Sequence, residues 1–103
     1  MNKVKLSGRV CRVTRGAKDN GQPVTALLVS VANRTGKSDT FRVVCYGKLA
    51  GVAWEHAEDG VEVDVTGRLQ SRFVGTRSGG GYDVVEVVAS GLHFGPPRAK
   101  GSP

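Results

Sequence analysis

At 103 residues, with a formal net charge of +6 and a sequence pI near 9.8, the chain has room for one domain with a modest core and excludes a two-domain enzyme. The positive balance favours a polyanion or an anionic membrane surface as partner. No apolar run reaches the roughly 18 residues of a membrane span, and Met1 to Leu6 leads straight into a strand pattern instead of a signal-peptide core, so a soluble, cytoplasmic protein is expected.

From Lys3 to Val13 the residues alternate, with Val4, Leu6, Gly8 and Val10 on one face and Lys3, Lys5, Ser7, Arg9 and Cys11 on the other. This predicts a half-buried strand with a basic outer face. Gly8, on the inner face, marks a bend or a close backbone approach of the kind a tightly curved barrel needs. Thr14 to Gln22 is turn chemistry, and Asn20-Gly21 is the strongest hairpin signal in the chain. A second strand begins near Pro23, and Val24 to Asn33 is apolar on both sides, which predicts cover on each face, by core and by the helix or a neighbouring chain. A buried helix is the minor alternative there, opposed by the Thr, Val and Ser content. Arg34 to Ser38 is a basic loop; Phe41, Val43 and Cys45 then alternate with Arg42, Val44 and Tyr46 up to Gly47.

Lys48 to Ala57 places Leu49, Val52, Ala53 and His56 at helical spacing, with Gly60 as the stop. So short a helix is unstable alone and must pack on the strands. Val61, Val63, Val65, Gly67, Leu69, Ser71 and Phe73 alternate with Glu62, Asp64, Thr66, Arg68, Gln70 and Arg72, the clearest strand of the chain. Val74 to Gly81 is a Gly-rich loop carrying Arg77, and Tyr82 to Val88, extending towards Phe94, is the last strand. Gly95 to Pro103 has no core-forming residues and is expected to be a disordered basic tail, leaving residues 1–94 as the folded domain. The result is all-β: five strands with one short helix between strands three and four, the order of the OB-fold, a Greek-key barrel that commonly binds oligonucleotides or oligosaccharides.

Basic and aromatic residues interleave along this frame: Arg42 and Tyr46 on the third strand, Lys48 after it, and Arg68, Arg72 and Phe73 on the fourth. A single nucleic-acid strand is held by a cationic groove that follows its phosphates and by rings on which bases stack, at roughly 1–3 kcal/mol per stack. The competing reading of each cation is a solvated outer strand face. On the fourth strand the acidic half, Glu62 and Asp64, is expected away from nucleic acid and the basic half near it. Tyr46, opposite Phe41 and Cys45 in register, is a stacking candidate, and Phe41 a core residue. Phe73, at a strand end, is open to either role, and Trp54, off the helix stripe, is expected to pack more than to touch ligand.

Other motifs lead nowhere. Gly36-Lys37-Ser38 lacks the upstream glycine and following helix of a phosphate loop, and His56 and His93 have no ligand cluster. Cys11 and Cys45 suggest two buried, reduced thiols instead of a disulfide or zinc site. No nucleophile with a neighbouring base can be named, so neither an enzyme nor a cofactor or metal is expected. No feature reads a 2′-hydroxyl, which leaves DNA against RNA open.

Met1-Asn2-Lys3-Val4, Leu6, Gly8, Ala32-Asn33-Arg34, Arg42-Val43-Val44, Gly47-Lys48-Leu49-Ala50, Val65-x-Gly67-Arg68-Leu69-Gln70-x-Arg72 and Glu86-Val87-Val88 together resemble the DNA-binding domain of bacterial single-stranded DNA-binding proteins, from Met1 to about Phe94. The resemblance implies OB-folds assembled into a homotetramer that coats single-stranded DNA without sequence preference, in replication, recombination or repair at the nucleoid. It matches Lys3, Arg42, Lys48 and Arg72 to basic contact positions and Tyr46 to a base-stacking aromatic. With Arg34, Trp54, Arg68, Phe73 and Arg77 these make the candidate DNA-binding set. Thr40 and Val74 stand where the family often has aromatic rings, and Asp59 where lysine is common, which implies weaker binding or a different path for the strand. The chain ends in Arg98, Lys100 and Pro103 without the family's acidic tip, so recruitment of replication proteins through such a tip is not expected. Leu6-Ser7-Gly8 and Val10-Cys11-Arg12 are also similar to the primosomal replication protein PriB, a dimeric adaptor between single-stranded DNA and a helicase. The two-sided apolar stretch Val24 to Val31 favours self-association, with a tetramer ahead of a dimer on the resemblance.

Overall fold

The computed structural model describes residues 1–96. Its elements are β1 (Val4–Ala17), β2 (Pro23–Ala32), β3 (Ser38–Tyr46), α1 (Lys48–His56), β4 (Glu62–Gly75) and β5 (Gly81–Phe94). The strands close into a barrel in the order β1-β2-β3-β5-β4. All neighbours are antiparallel except β3 and β5, whose parallel contact is confined to Val43 beside Val87 and Val44 beside Val88. Residues 97–103, most of the expected tail, lie outside the described residues; Gly95 is held, its N–H donating to the Glu62 carbonyl at 2.8 Å.

Closure depends on β1 serving two neighbours. Its first half, Val4 to Arg9, pairs with β4, and its second half, Arg9 to Ala17, pairs with β2. The strand must bend sharply where it changes partner, and Gly8 sits there: a Cβ at this position would collide with the Ser30 carbonyl oxygen. Just beyond, the β1–β2 register shifts between Val10 and Arg12, so Cys11 is the extra residue of a bulge. Gly67 plays the same part on β4, where a Cβ would strike the Val88 carbonyl oxygen beside the β4–β5 register shift.

The core follows from the inner faces. Val10, Leu27, Val29, Val43, Cys45, Val63, Val65 and Val87 meet inside the barrel, and α1 closes one end with Ala53 and, just past it, Ala57. Within this interior the Thr25 hydroxyl donates to the Ala50 carbonyl at 2.7 Å, so the one buried hydroxyl among the described residues is satisfied.

Several sequence expectations need correction. The buried stripe of α1 is Ala50, Ala53 and Ala57 with Leu49 at its edge, whereas Val52 and His56 are exposed. The narrow barrel end admits a helix only if its backbone comes close, which selects alanine over larger apolar side chains. Of the two thiols only Cys45 is buried; Cys11 is exposed because it follows Val10 on the outer face of β1. Burial pushes the Cys45 thiol up to about 11. Phe41 occupies the core-side register of β3 yet is 39% exposed, since β3 and β5 stay paired only at Val43 and Val44 and leave it beyond the seam. The hairpin loops are also shorter than their turn-rich sequences suggest, because β1 runs to Ala17, and β4 and β5 run on as a two-stranded arm to Gly75 and Gly81. Both faces of the arm are solvated, so the alternation that reveals strands is lost there.

Candidate nucleic-acid interface

Register sets the interface. Cross-strand partners point to one side of a sheet, so Arg68 with Val88, Gln70 with Glu86, Arg72 with Val84 and Val74 with Tyr82 share the outer face of β4 and β5. Arg42, one residue before the parallel contact, comes to the same side beside Glu86. Tyr46 lies further along that face of β3, paired across to Val24 of β2.

At the centre of this face is a buried carboxylate. Glu86 is 3% exposed; its Oε2 accepts from Arg42 Nε at 3.2 Å, and its Oε1 accepts from Arg72 Nε and Gln70 Nε2, both at 3.4 Å. The two arginine side chains remain 45% and 48% exposed, so the cluster presents two guanidinium groups around one negative charge. Beside it, Lys3 and Arg68 border a depression of about 410 Å³ that Asn2 and Ser90 also line. Asn2 fixes the chain start there: its amide nitrogen donates to the Leu69 carbonyl and its amide oxygen accepts from the Leu69 N–H, both at 2.8 Å. A side chain thus extends the β1–β4 ladder by one step, a role that no local sequence pattern announces.

At the other end of the face the β1–β2 hairpin brings cations over aromatic rings. Lys18 Nζ lies 4.8 Å from the Tyr46 ring centroid, and Arg15 Cζ lies 5.1 Å from that of Trp54, which is 47% exposed. Trp54 therefore does not pack into the barrel end, contrary to expectation; α1 buries its alanines and leaves the indole to the hairpin. Lys48 opens α1 at the same end and is exposed. Arg15 and Lys18 lie in a segment whose sequence resembles a turn, and their only sequence signal is charge.

The charges on β4 separate along the strand. Arg9 pairs with Glu62 at 3.0 Å and the Ser7 hydroxyl donates to Asp64 at 2.7 Å, so the acidic half of the strand is matched to β1, while the half from Arg68 onward is not.

Three candidates stand apart. Phe73 is 65% exposed on the opposite face of the arm, where its ring lies against Gly81, a glycine with no room for a Cβ. Arg77 is in the arm's tip turn, and Arg34 in the β2–β3 turn, where Asn33 Oδ1 accepts from the Thr35 and Lys37 N–H groups. Nothing draws these three to the face that holds Arg42 and Arg72.

A sequence model of the single-strand binding protein family matches residues 1–95. The chain belongs to this family. A curated relative, the single-stranded DNA-binding protein of Caldanaerobacter subterraneus subsp. tengcongensis, is 33% identical over 107 residues, which span 96% of this chain and 71% of the relative. Among solved structures, the Plasmodium falciparum SSB complex with ssDNA superposes with a TM-score of 0.80 at 23% identity, covering 93% of this chain and 96% of that one. That likeness establishes the closed OB barrel. Against the family frame, Val74 lacks the aromatic ring expected at its position, yet its cross-strand partner Tyr82 is 57% exposed on the same face. A ring is therefore available next to Arg72 after all, from a residue that no sequence pattern singles out. Thr40 and Asp59 are exposed and supply neither ring nor positive charge.

Proposed function

We propose that this chain binds single-stranded DNA without sequence preference along the outer face of β3, β5 and β4, coating it during replication, recombination or repair. The observation that carries the reading is the gathering of Lys3, Arg68, Arg72, Arg42 and Tyr46 on one face of the barrel of a single-strand binding family member. Guanidinium and ammonium groups follow phosphates, which every nucleotide carries, and rings take any base on its π-face, so such a surface tolerates any sequence. The Plasmodium neighbour, a complex with ssDNA, supports the same ligand. Residues 1–94 form the binding unit, and Lys48, Trp54, Arg15 and Lys18 extend the track at the hairpin end, while Tyr82 extends it along the arm. Arg34, Phe73 and Arg77 are left to a longer path around the barrel.

Self-association, with a tetramer favoured over a dimer, is part of the proposal. Leu69, Phe73 and Val85 are 47%, 65% and 63% exposed on the core-side register of the arm, an apolar face that a second copy would cover. The site of action is the cytoplasm, where single-stranded intermediates arise; among the described residues no helix is long and apolar enough to cross a membrane.

The deciding experiment titrates the protein with fluorescent oligo(dT) and with a duplex of equal length at several salt concentrations, alongside light scattering. Preference for oligo(dT) that weakens steeply with salt is expected. Equal binding to the duplex would refute the reading.

A further inference from the structure

Among the described residues Glu86 is the only charged side chain that is buried, and it sits on the face that carries Arg42, Arg68 and Arg72. A negative charge there opposes polyanion binding, and burying a carboxylate is unfavourable unless donors compensate it. Three donors do, and the way the two arginines bind is informative. Arg42 and Arg72 each reach Glu86 through Nε. Arg9 shows the contrasting arrangement: its terminal nitrogens bond the Gly60 carbonyl at 2.9 Å and Glu62 at 3.0 Å, so its fork is occupied by protein. For Arg42 and Arg72 the bonds to Glu86 run through Nε, and among the described residues no hydrogen bond within the chain engages their terminal nitrogens, the pair that fits a phosphate.

We propose that Glu86 is a positioning residue for nucleic-acid binding: its carboxylate holds the guanidinium groups of Arg42 and Arg72 by their Nε atoms and presents both forks, pre-aimed, to phosphates of the bound strand. The inference rests on the single-stranded DNA reading of this face. One carboxylate oxygen serves each arginine, so a single buried group sets the spacing of two phosphate-binding forks on different strands, β3 and β4. Gln70 donates to the oxygen that Arg72 uses and holds the carboxylate from the β4 side. Without Glu86 the two arginines would keep their charge but lose their common anchor, and each would have to be ordered anew when DNA binds.

Charge and positioning make opposite demands on one substitution. Glu86→Gln adds one positive unit to the face, so a role limited to electrostatics gives tighter binding to oligo(dT). Positioning gives weaker binding, by about tenfold, with the slope of log affinity against log salt reduced by about 0.7 for each phosphate that is no longer neutralised. Tighter or equal binding with an unreduced slope would overturn the proposal. A second arm repeats Glu86→Gln in a chain already carrying Arg42→Gln and Arg72→Gln. There the substitution is expected to change affinity less than about twofold; a loss as large as in the wild-type background would show a general structural effect and also overturn it. Thermal melting and Trp54 emission report whether each variant folds. Should Glu86→Gln not fold, Glu86→Asp, which keeps the charge on an arm one methylene too short to span both arginines, is measured against the same criteria. Wild-type chain that shows no preference for oligo(dT) over duplex would refute the single-stranded DNA reading itself, whereas a preference retained together with tight Glu86→Gln binding refutes only the positioning role.

Discussion

Replacing Tyr46 by alanine separates stacking from charge at the interface. Tyr46 is half-buried at the end of β3, paired with Val24, with Lys18 Nζ 4.8 Å from its ring centroid. Removing the ring deletes one stacking platform, about 1–3 kcal/mol, which corresponds to a loss of about fivefold to 150-fold in affinity. No phosphate donor is removed, so the salt slope should stay as in the wild type, unlike that of a variant lacking one of the arginines. Lys18 loses its ring partner, but its charge remains. Fluorescence anisotropy with labelled oligo(dT) at three or more salt concentrations measures both quantities, with Tyr46→Phe as the control that keeps the ring. Affinity within twofold of wild type would take Tyr46 out of the site, and a reduced slope would mean that the ring acts by placing Lys18 and not by stacking.

Two further outcomes test other parts of the structure. Trp54 is the sole tryptophan and is 47% exposed beneath Arg15, so saturation with oligo(dT) is expected to quench its emission, and Arg15→Gln to weaken binding in parallel; emission unchanged at saturation takes the hairpin end off the track. The cysteines should differ in reactivity: a thiol reagent at neutral pH modifies Cys11 alone in the folded protein, and Cys45 only after denaturation. Because burial raises the Cys45 pKa from 9.0 to about 11, the unfolded chain releases its proton first. Its contribution to stability is therefore full below pH 9.0 and is lost as the pH rises towards about 11, which denaturant melts across that window would detect in the wild type and not in Cys45→Ala. Two reactive thiols in the native state would contradict the packing of β3.

Strand character was legible wherever the two sides of a strand meet different surroundings. Val61, Val63 and Val65 face the core while Glu62 and Asp64 face β1 and water, and that difference writes itself into the sequence as alternation. It fades on the arm, where Leu69, Phe73 and Val85 have no core to face, and the loop expected from Val74 to Gly81 proves to be strand at its ends, Val74, Gly75 and Gly81, with only residues 76–80 left as the turn. Helical spacing alone did not identify the buried side of α1, since Val52 and Ala53 fit a stripe equally well and only the width of the barrel end selects between them. Cys11 was expected to be buried as a free thiol, although the alternation from Val4 to Val10 had already placed it on the outer face, where it is exposed.

By itself the sequence determined the number and order of the elements, the position of the bend at Gly8, and the residue types that suit nucleic acid, because all of these depend on near neighbours along the chain. Which cations lie together was decided only by tertiary structure. Arg42 and Glu86 are 44 positions apart, Arg72 and Glu86 are 14 apart, and Asn2 and Leu69 are 67 apart. Their meeting follows from the register of β3, β4 and β5 in a closed sheet, a property of long-range pairing that leaves no periodic trace in any one segment.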